Sequence, residues 1–204
     1  MPNRDLELSL LQKEFKQIIG VDEAGLGCLA GPTVIAGVIL PNEFNIDGIK
    51  DSKKITSEKK REKLYEQIIN YPNIKWTISI ISPEEIDQIN ILQARLKGMK
   101  EVIEQLKGDY ACVDGNKKPN TIIPCECIVK GDDKCLNIAT ASIIAKVSRD
   151  RIMNEYHKTY PEWNFIKNKG YGTKEHISRI HELKSGTPIH RKTFAPLKNY
   201  LNSF

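Results

Sequence analysis

Residues 19 to 40 read "IGVDEAGLGCLAGPTVIAGVIL". An apolar run stops at two adjacent acids, Asp22 and Glu23, enters a turn rich in glycine that Pro32 closes, and resumes as a second apolar run. Two short apolar segments around such a turn predict two strands. Two neighbouring like charges at the end of a buried strand are costly to desolvate unless a cation joins them. Successive strand side chains point to opposite faces, so a regular strand keeps Asp22 and Glu23 apart. The expectation is that the turn at Gly25 breaks the regularity and redirects one of them.

Outward from this stretch, "DSKKITSEKKREKLYEQIIN" reads as a loop leading into a charged surface helix, and "KWTISIIS" as a third strand. Ser82-Pro83-Glu84-Glu85 has the form of a helix start, with a capping serine, a proline at the first helical position and a glutamate at the third. From there Ile89, Leu92, Leu96, Met99, Ile103 and Leu106 fall on one stripe, which predicts a single helix with one buried face, ended by Gly108. "YACVDG" is a short strand stopping at Asp114, and "TIIPCECIVKGDD" a further strand pattern stopping at Lys130-Gly131-Asp132. A long helix is expected over 137–159, with Ile138, Ala141, Ala145, Ile152 and Tyr156 on its apolar stripe. A loop, a short helix capped by Thr173 and an irregular end follow. Strands alternating with helices predict an α/β sheet packed by helices, and no linker or repeat divides residues 1–204.

The chain has 204 residues, 40% of them hydrophobic, enough for one globular core. No apolar run approaches the ~18 residues of a membrane span, and the N-terminus lacks a signal core, so a cytoplasmic protein is expected. Five scattered cysteines lack the spacing of a zinc site and read as reduced thiols. The formal charge of +5 is unevenly placed. Residues 158–204 hold nine Lys/Arg against three Asp/Glu, and the rest of the chain is nearly balanced. A solvated basic face is the plain explanation; a basic segment beside an acidic centre also suits a polyanion.

Asp22, Asp114 and Asp132 each stand where an apolar strand pattern ends at or beside a glycine. Taken singly, each is an ordinary solvated loop acid. Ligand sites in layered α/β folds gather at strand ends, so together the three acids and Glu23 point to divalent metal. Magnesium suits oxygen ligands, and two ions sharing such acids form a clamp for phosphoryl displacement. The ions also offset the repulsion among the carboxylates.

"GVDEAGLGCLAGP" resembles the first signature of the type 2 ribonucleases H, specifically bacterial-type ribonuclease HII. The resemblance continues in order through "DSKK", "VDGN", "IVKGDDK", "ATASIIAKVSRDR", "YPEWNFIKNKGYGT" and "PIHRKTFAP". It implies a ribonuclease H-like α/β core, a mixed sheet flanked by helices, with a small basic C-terminal helical region from about residue 160. It implies an endoribonuclease dependent on Mg²⁺ or Mn²⁺ that cuts the RNA strand of RNA–DNA hybrids and nicks duplex DNA 5′ of an embedded ribonucleotide, leaving 3′-hydroxyl and 5′-phosphate ends. The family's catalytic, metal-holding acids map onto Asp22, Glu23, Asp114 and Asp132. Substrate contacts map onto Gly25, Leu26, Gly27, Lys53 and Tyr171, the tyrosine that stacks near the scissile junction. Lys146 matches a further basic position but sits within a helical stripe, and Asp150 reads as its helical neighbour. The partner implied is the nucleic acid itself, with a monomeric protein and no membrane.

One departure stands in the signature: the family has Gly-Arg-Gly where this chain has Gly25-Leu26-Gly27, and Cys28 replaces the usual proline. Leucine has no guanidinium for a phosphate. Weakened grip on the junction is therefore expected, and a hybrid-binding protein with reduced catalysis is the alternative reading. The dinucleotide-binding alternative fails on spacing, because the glycines at 25, 27 and 31 are one residue too far apart for G-x-G-x-x-G. A carboxylate-pair glycosidase leaves the basic C-terminal segment unexplained. No role is assigned to His181 or His190.

Overall fold

The structure, a computed structural model, describes residues 2–50 and 52–201. Asp51 of the "DSKK" motif and the last three residues of the basic segment lie outside the described residues. Five strands, β1 (Ile18–Ala24), β2 (Thr33–Ile39), β3 (Lys75–Ile81), β4 (Tyr110–Asp114) and β5 (Cys125–Ile128), form one sheet in the order β3-β2-β1-β4-β5. The β1–β2 and β2–β3 pairs are antiparallel, while β1–β4 and β4–β5 are parallel. This is the α/β sheet that the alternation of patterns predicted, and its mixed pairing is the one the resemblance implied.

Helices α1 (Asp5–Leu11), α2 (Glu58–Ile69), α3 (Pro83–Ile89), α4 (Ile91–Leu106) and α5 (Leu136–Thr159) surround the sheet. The alternation along β2 shows how. Ala36 and Val38 pack in a cluster with residues of α2 and α5, whereas Ile35 and Ile39 pack with residues of α3 and α4. β2 is buried along its whole length for this reason. Helix α5 comes so close to β1 that a Cβ on Gly20 would lie 2.3 Å from the backbone of Asn137.

Two expectations need correction. The stretch from Pro83 to Gly108 is two helices, because Asn90 takes φ +65° and its side chain accepts hydrogen bonds from the N–H groups of Leu92 and Gln93, starting α4. Leu92, expected in the buried stripe, is 40% exposed at that new start. Helix α5 does not bury one stripe alone. It is buried nearly all round from Asn137 to Asp150, since it packs against β1, β2, α2 and the C-terminal region at once.

The C-terminal region consists of α6 (Phe165–Asn168), α7 (Lys174–Leu183) and α8 (Leu197–Leu201), with a single 3-10 turn at Pro161–Trp163. Thr173 caps α7 as expected. Trp163, Phe165, Ile180, Ile189 and Leu197 bury themselves against Ala30 and Met153, directly beneath the turn that follows β1.

Candidate active site

The β1–β4 pairing runs from Ile18↔Tyr110 to Val21↔Val113. Continued by one residue, that register sets Asp22 beside Asp114 with both side chains on the α5 face. Glu23 starts on the opposite face, where Arg95 of α4 stands 3.1 Å from its carboxylate. β1 remains paired with β2 as far as Ala24↔Val34. The strand is therefore regular, and the break expected at Gly25 is not what unites the acids. The β1–β4 ladder ends at Val21, and the longer glutamate side chain reaches round the opened edge. As a result one carboxylate oxygen each from Asp22, Glu23 and Asp114 lies within 4.8 Å of the others.

Asp132 is not a member of that three-oxygen group among the described residues. It is buried on a single 3-10 turn, Gly131–Asp133, which follows β5. The turn is tied to the group through its neighbour, since Gly131 donates its N–H to Asp114 Oδ1 at 2.7 Å. Asp133, beside it, pairs outward with Lys54.

Burial raises the Asp22 carboxyl well above the usual range, and the charges of Glu23 and Asp114 push it further. Glu23 rises to about 6 for the same first reason, with Arg95 opposing the rise. Glu23 Oε2 is buried and, although close to Arg95, makes no hydrogen bond of good geometry. A compact set of hard oxygen donors, mutually repelling and incompletely satisfied, fits a divalent cation of the Mg²⁺ or Mn²⁺ kind.

Next to the acids lies a cleft of about 190 Å³, lined among others by Glu23, Gly25, Leu26, Gly27, Lys53 and Tyr171. Every substrate position implied by the resemblance is thus in one place. Lys53 is carried on the 3-10 turn Ser52–Lys54, and the Ser52 hydroxyl is 2.8 Å from that of Ser142 on α5. Lys146 lines the same cleft while pairing with Asp150 at 2.7 Å, one helical turn on. Its Nζ is 5.3 Å from the centre of the Tyr171 ring. Tyr171 is 39% exposed, while the Cys28 thiol is buried and burial raises its pKa. A thiol so placed is packing, not a reactive thiolate.

Two fully buried arginines shape the turn after β1, and the sequence reading did not single them out. Arg191 donates to the carbonyls of Gly25 (2.6 Å), Leu26 (2.8 Å) and Gly31 (3.0 and 3.1 Å). Arg149 donates to those of Ala30 (3.0 Å), Pro32 (2.9 Å) and Lys169 (2.8 Å). In a trans peptide the N–H points opposite to the C=O. Drawing the Gly25 and Leu26 carbonyls toward Arg191 therefore turns the N–H groups of Leu26 and Gly27 away from it, on the cleft side of the turn. Gly25, at φ +97°, leaves no room for a Cβ beside Arg149. Both arginines lie in quoted motifs, "SRDR" and "PIHRK". Nothing local marks them as buried, because charged side chains are seldom fully enclosed without partners that only the fold supplies. His181 lies outside this constellation and bonds the Tyr200 hydroxyl.

The chain matches the family model "Ribonuclease HII" over residues 19–197. It is 52% identical over 187 residues to the ribonuclease HII of Francisella tularensis subsp. tularensis (strain WY96-3418), covering 91% of this chain and 98% of the relative. Among solved structures it resembles ribonuclease H2 from Pyrococcus horikoshii OT3, with a TM-score of 0.72, 26% identity, and coverage of 91% of this chain and 97% of that one. It shares its fold with Bst-RNase HIII in complex with Mn²⁺, at a TM-score of 0.75 and 16% identity, covering 91% of this chain and 69% of that one. With the family match spanning nearly the whole chain and the fold in agreement, the chain belongs to the ribonuclease HII family and is a ribonuclease H hydrolase.

Proposed function

We propose that this protein is a metal-dependent endonuclease that cleaves the RNA strand of RNA–DNA hybrids and nicks duplex DNA on the 5′ side of an embedded ribonucleotide, leaving 3′-hydroxyl and 5′-phosphate ends. The observation that carries this reading is the meeting of Asp22, Glu23 and Asp114 at the rim of a cleft lined by Lys53 and Tyr171. In this reading the three carboxylates hold Mg²⁺ or Mn²⁺, and Asp132 acts from the adjoining turn as the fourth acid. Two such ions, when bound, supply an activated water and stabilise the leaving oxygen. The chain's own groups do the positioning. Arg95 holds the Glu23 carboxylate in place. The Leu26 and Gly27 N–H groups face the ribose, whose 2′-hydroxyl separates RNA from DNA. Tyr171 stacks on the sugar or base, and Lys53 meets a phosphate of the backbone. The Mn²⁺ complex of Bst-RNase HIII, which shares the fold, supports the choice of ions. We read residues 1–204 as one monomeric domain working in the cytoplasm.

The deciding experiment incubates the protein with Mg²⁺ or Mn²⁺ and a duplex bearing one ribonucleotide, and maps the cut. A nick 5′ of the ribonucleotide that a chelator abolishes is the expected result. Binding without a nick favours instead the reading of a hybrid-binding protein, for which the leucine at position 26 in the cleft is the supporting observation.

A further inference from the structure

Outside the acidic cluster, two of the chain's four histidines are buried against each other: His176 on α7 and His190 on the segment that follows it, each 1% exposed. Their Nε2 atoms are 2.9 Å apart. The rings are enclosed by Trp163 and Phe165, with the Trp163–His190 centroids 4.4 Å apart. Neither ring touches the cleft directly.

The direction of this hydrogen-bond chain is fixed at both ends. The Thr187 N–H donates to His190 Nδ1 at 2.9 Å, so that nitrogen accepts and carries no proton. In a neutral ring the proton then lies on His190 Nε2, which donates to His176 Nε2. His176 keeps its own proton on Nδ1, 2.9 Å from the carbonyl oxygen of Tyr171, which can only accept. An added proton would set two N–H groups against each other. Burial accordingly pulls both imidazoles down, His190 to about 3 with His176 contributing. The line ends on the main chain of the residue whose ring stands in the cleft. The Tyr171 carbonyl is otherwise bonded by the Thr173 N–H at 2.8 Å.

We propose that His176 and His190 are a positioning pair: a neutral, singly directed imidazole chain that sets the main chain of Tyr171, and through it the angle at which the ring meets the substrate. This rests on the reading of Tyr171 as a substrate contact. The pair touches no reacting atom.

The test has a spectroscopic arm and a kinetic arm, both on the full chain. Nitrogen-15 shifts of the four histidines near about pH 7 are expected to show His176 as the Nδ1–H tautomer and His190 as the Nε2–H tautomer, both neutral. A charged ring, or the opposite tautomers, overturns the proposal. In the kinetic arm His176→Asn, which keeps a donor near the Nδ1 position, is compared with His176→Phe, which has none. On a duplex with one ribonucleotide, His176→Phe is expected to raise KM about tenfold with little change in kcat, the size of one lost stacking contact, and His176→Asn to restore most of it. In a Tyr171→Ala background the same His176→Phe change is expected to add nothing, since the two act as one unit. Additive effects, or a loss in kcat and thermal stability with KM unchanged, overturn the pair's positioning role. A Tyr171→Ala variant with unaltered KM overturns the reading of Tyr171 itself, and the tautomer result still stands apart from that outcome.

Discussion

At the scale of single residues, the acids of the site are held against their own electrostatics. Asp22 is 3% exposed, and Glu23 and Asp114 add like charge to the cost of its burial. Under the proposed metal-dependent reading, Asp22→Asn removes a charge that holds the ions, and it also relieves that repulsion. Activity is expected to fall more than about a hundredfold, while the thermal midpoint without metal stays level or rises. A purified variant with substantial cleavage would count against the site. The raised carboxyls also fix a pH dependence. Glu23 holds its proton to about 6, above an unfolded glutamate at about 4.3. A raised acid favours the folded state fully below the unfolded value, and that contribution is lost as pH climbs through the folded value. In chelator the melting temperature should therefore drop between about pH 4 and 7, and the upward shift on adding Mg²⁺ or Mn²⁺ should grow over the same range. Melts in chelator that improve with pH across that interval would contradict this. Leu26 is the third residue-scale matter. Its carbonyl is bound by Arg191 and its side chain lines the cleft. Leu26→Arg is expected to tighten substrate binding about fivefold or more, the order of one charge-assisted hydrogen bond, and to change the preference between single ribonucleotides and longer hybrids. Identical affinity and preference would show that the side chain at 26 does not matter.

At the scale of elements, helix α5 organises the site because it supplies Ser142, Lys146 and Arg149 from one rigid rod. Its start is held from outside. Cys135, the residue before the helix, makes no side-chain cap. Glu7 of α1 does this work instead, its buried carboxylate accepting from the Asn137 N–H at 3.0 Å and the Cys135 thiol at 3.2 Å. A carboxylate at a helix N-terminus also suits the helix dipole. Glu7→Ala is expected to cost about 2 kcal/mol in denaturant unfolding, and a loss within experimental error would show that α1 is an ornament to the core. Nothing in the first seventeen residues signals this bond, because Glu7 and Asn137 are 130 positions apart. The same limit explains the α3–α4 correction. Hydrophobic spacing runs through Asn90 unbroken, but an asparagine in the left-handed region both ends one helix and caps the next.

At the scale of the whole molecule, the C-terminal region completes a cleft that the sheet only begins. Asp87 of α3 accepts from the Lys192 N–H (2.7 Å), the Thr193 N–H (2.9 Å) and the Thr193 hydroxyl (2.6 Å), clamping the segment that carries His190 and Arg191. Asp87→Ala is expected to cost about 2 kcal/mol, to raise KM, and to speed proteolysis near Lys192. Unchanged proteolysis would show that the segment is held by its apolar cluster alone. The amino-acid sequence by itself determined the five strand patterns, the caps at Ser82 and Thr173 and the acids at strand ends, because alternation, helical period and turn chemistry act over a few neighbouring residues. Only the tertiary structure decided how Asp22 and Glu23 meet while their strand stays regular, why Asp132 stands outside the three-oxygen group, and where Arg149, Arg191, His176 and His190 do their work. Those outcomes depend on which distant carbonyls, rings and strand edges surround a side chain, and burial is a property of the packed chain as a whole, which no local pattern encodes.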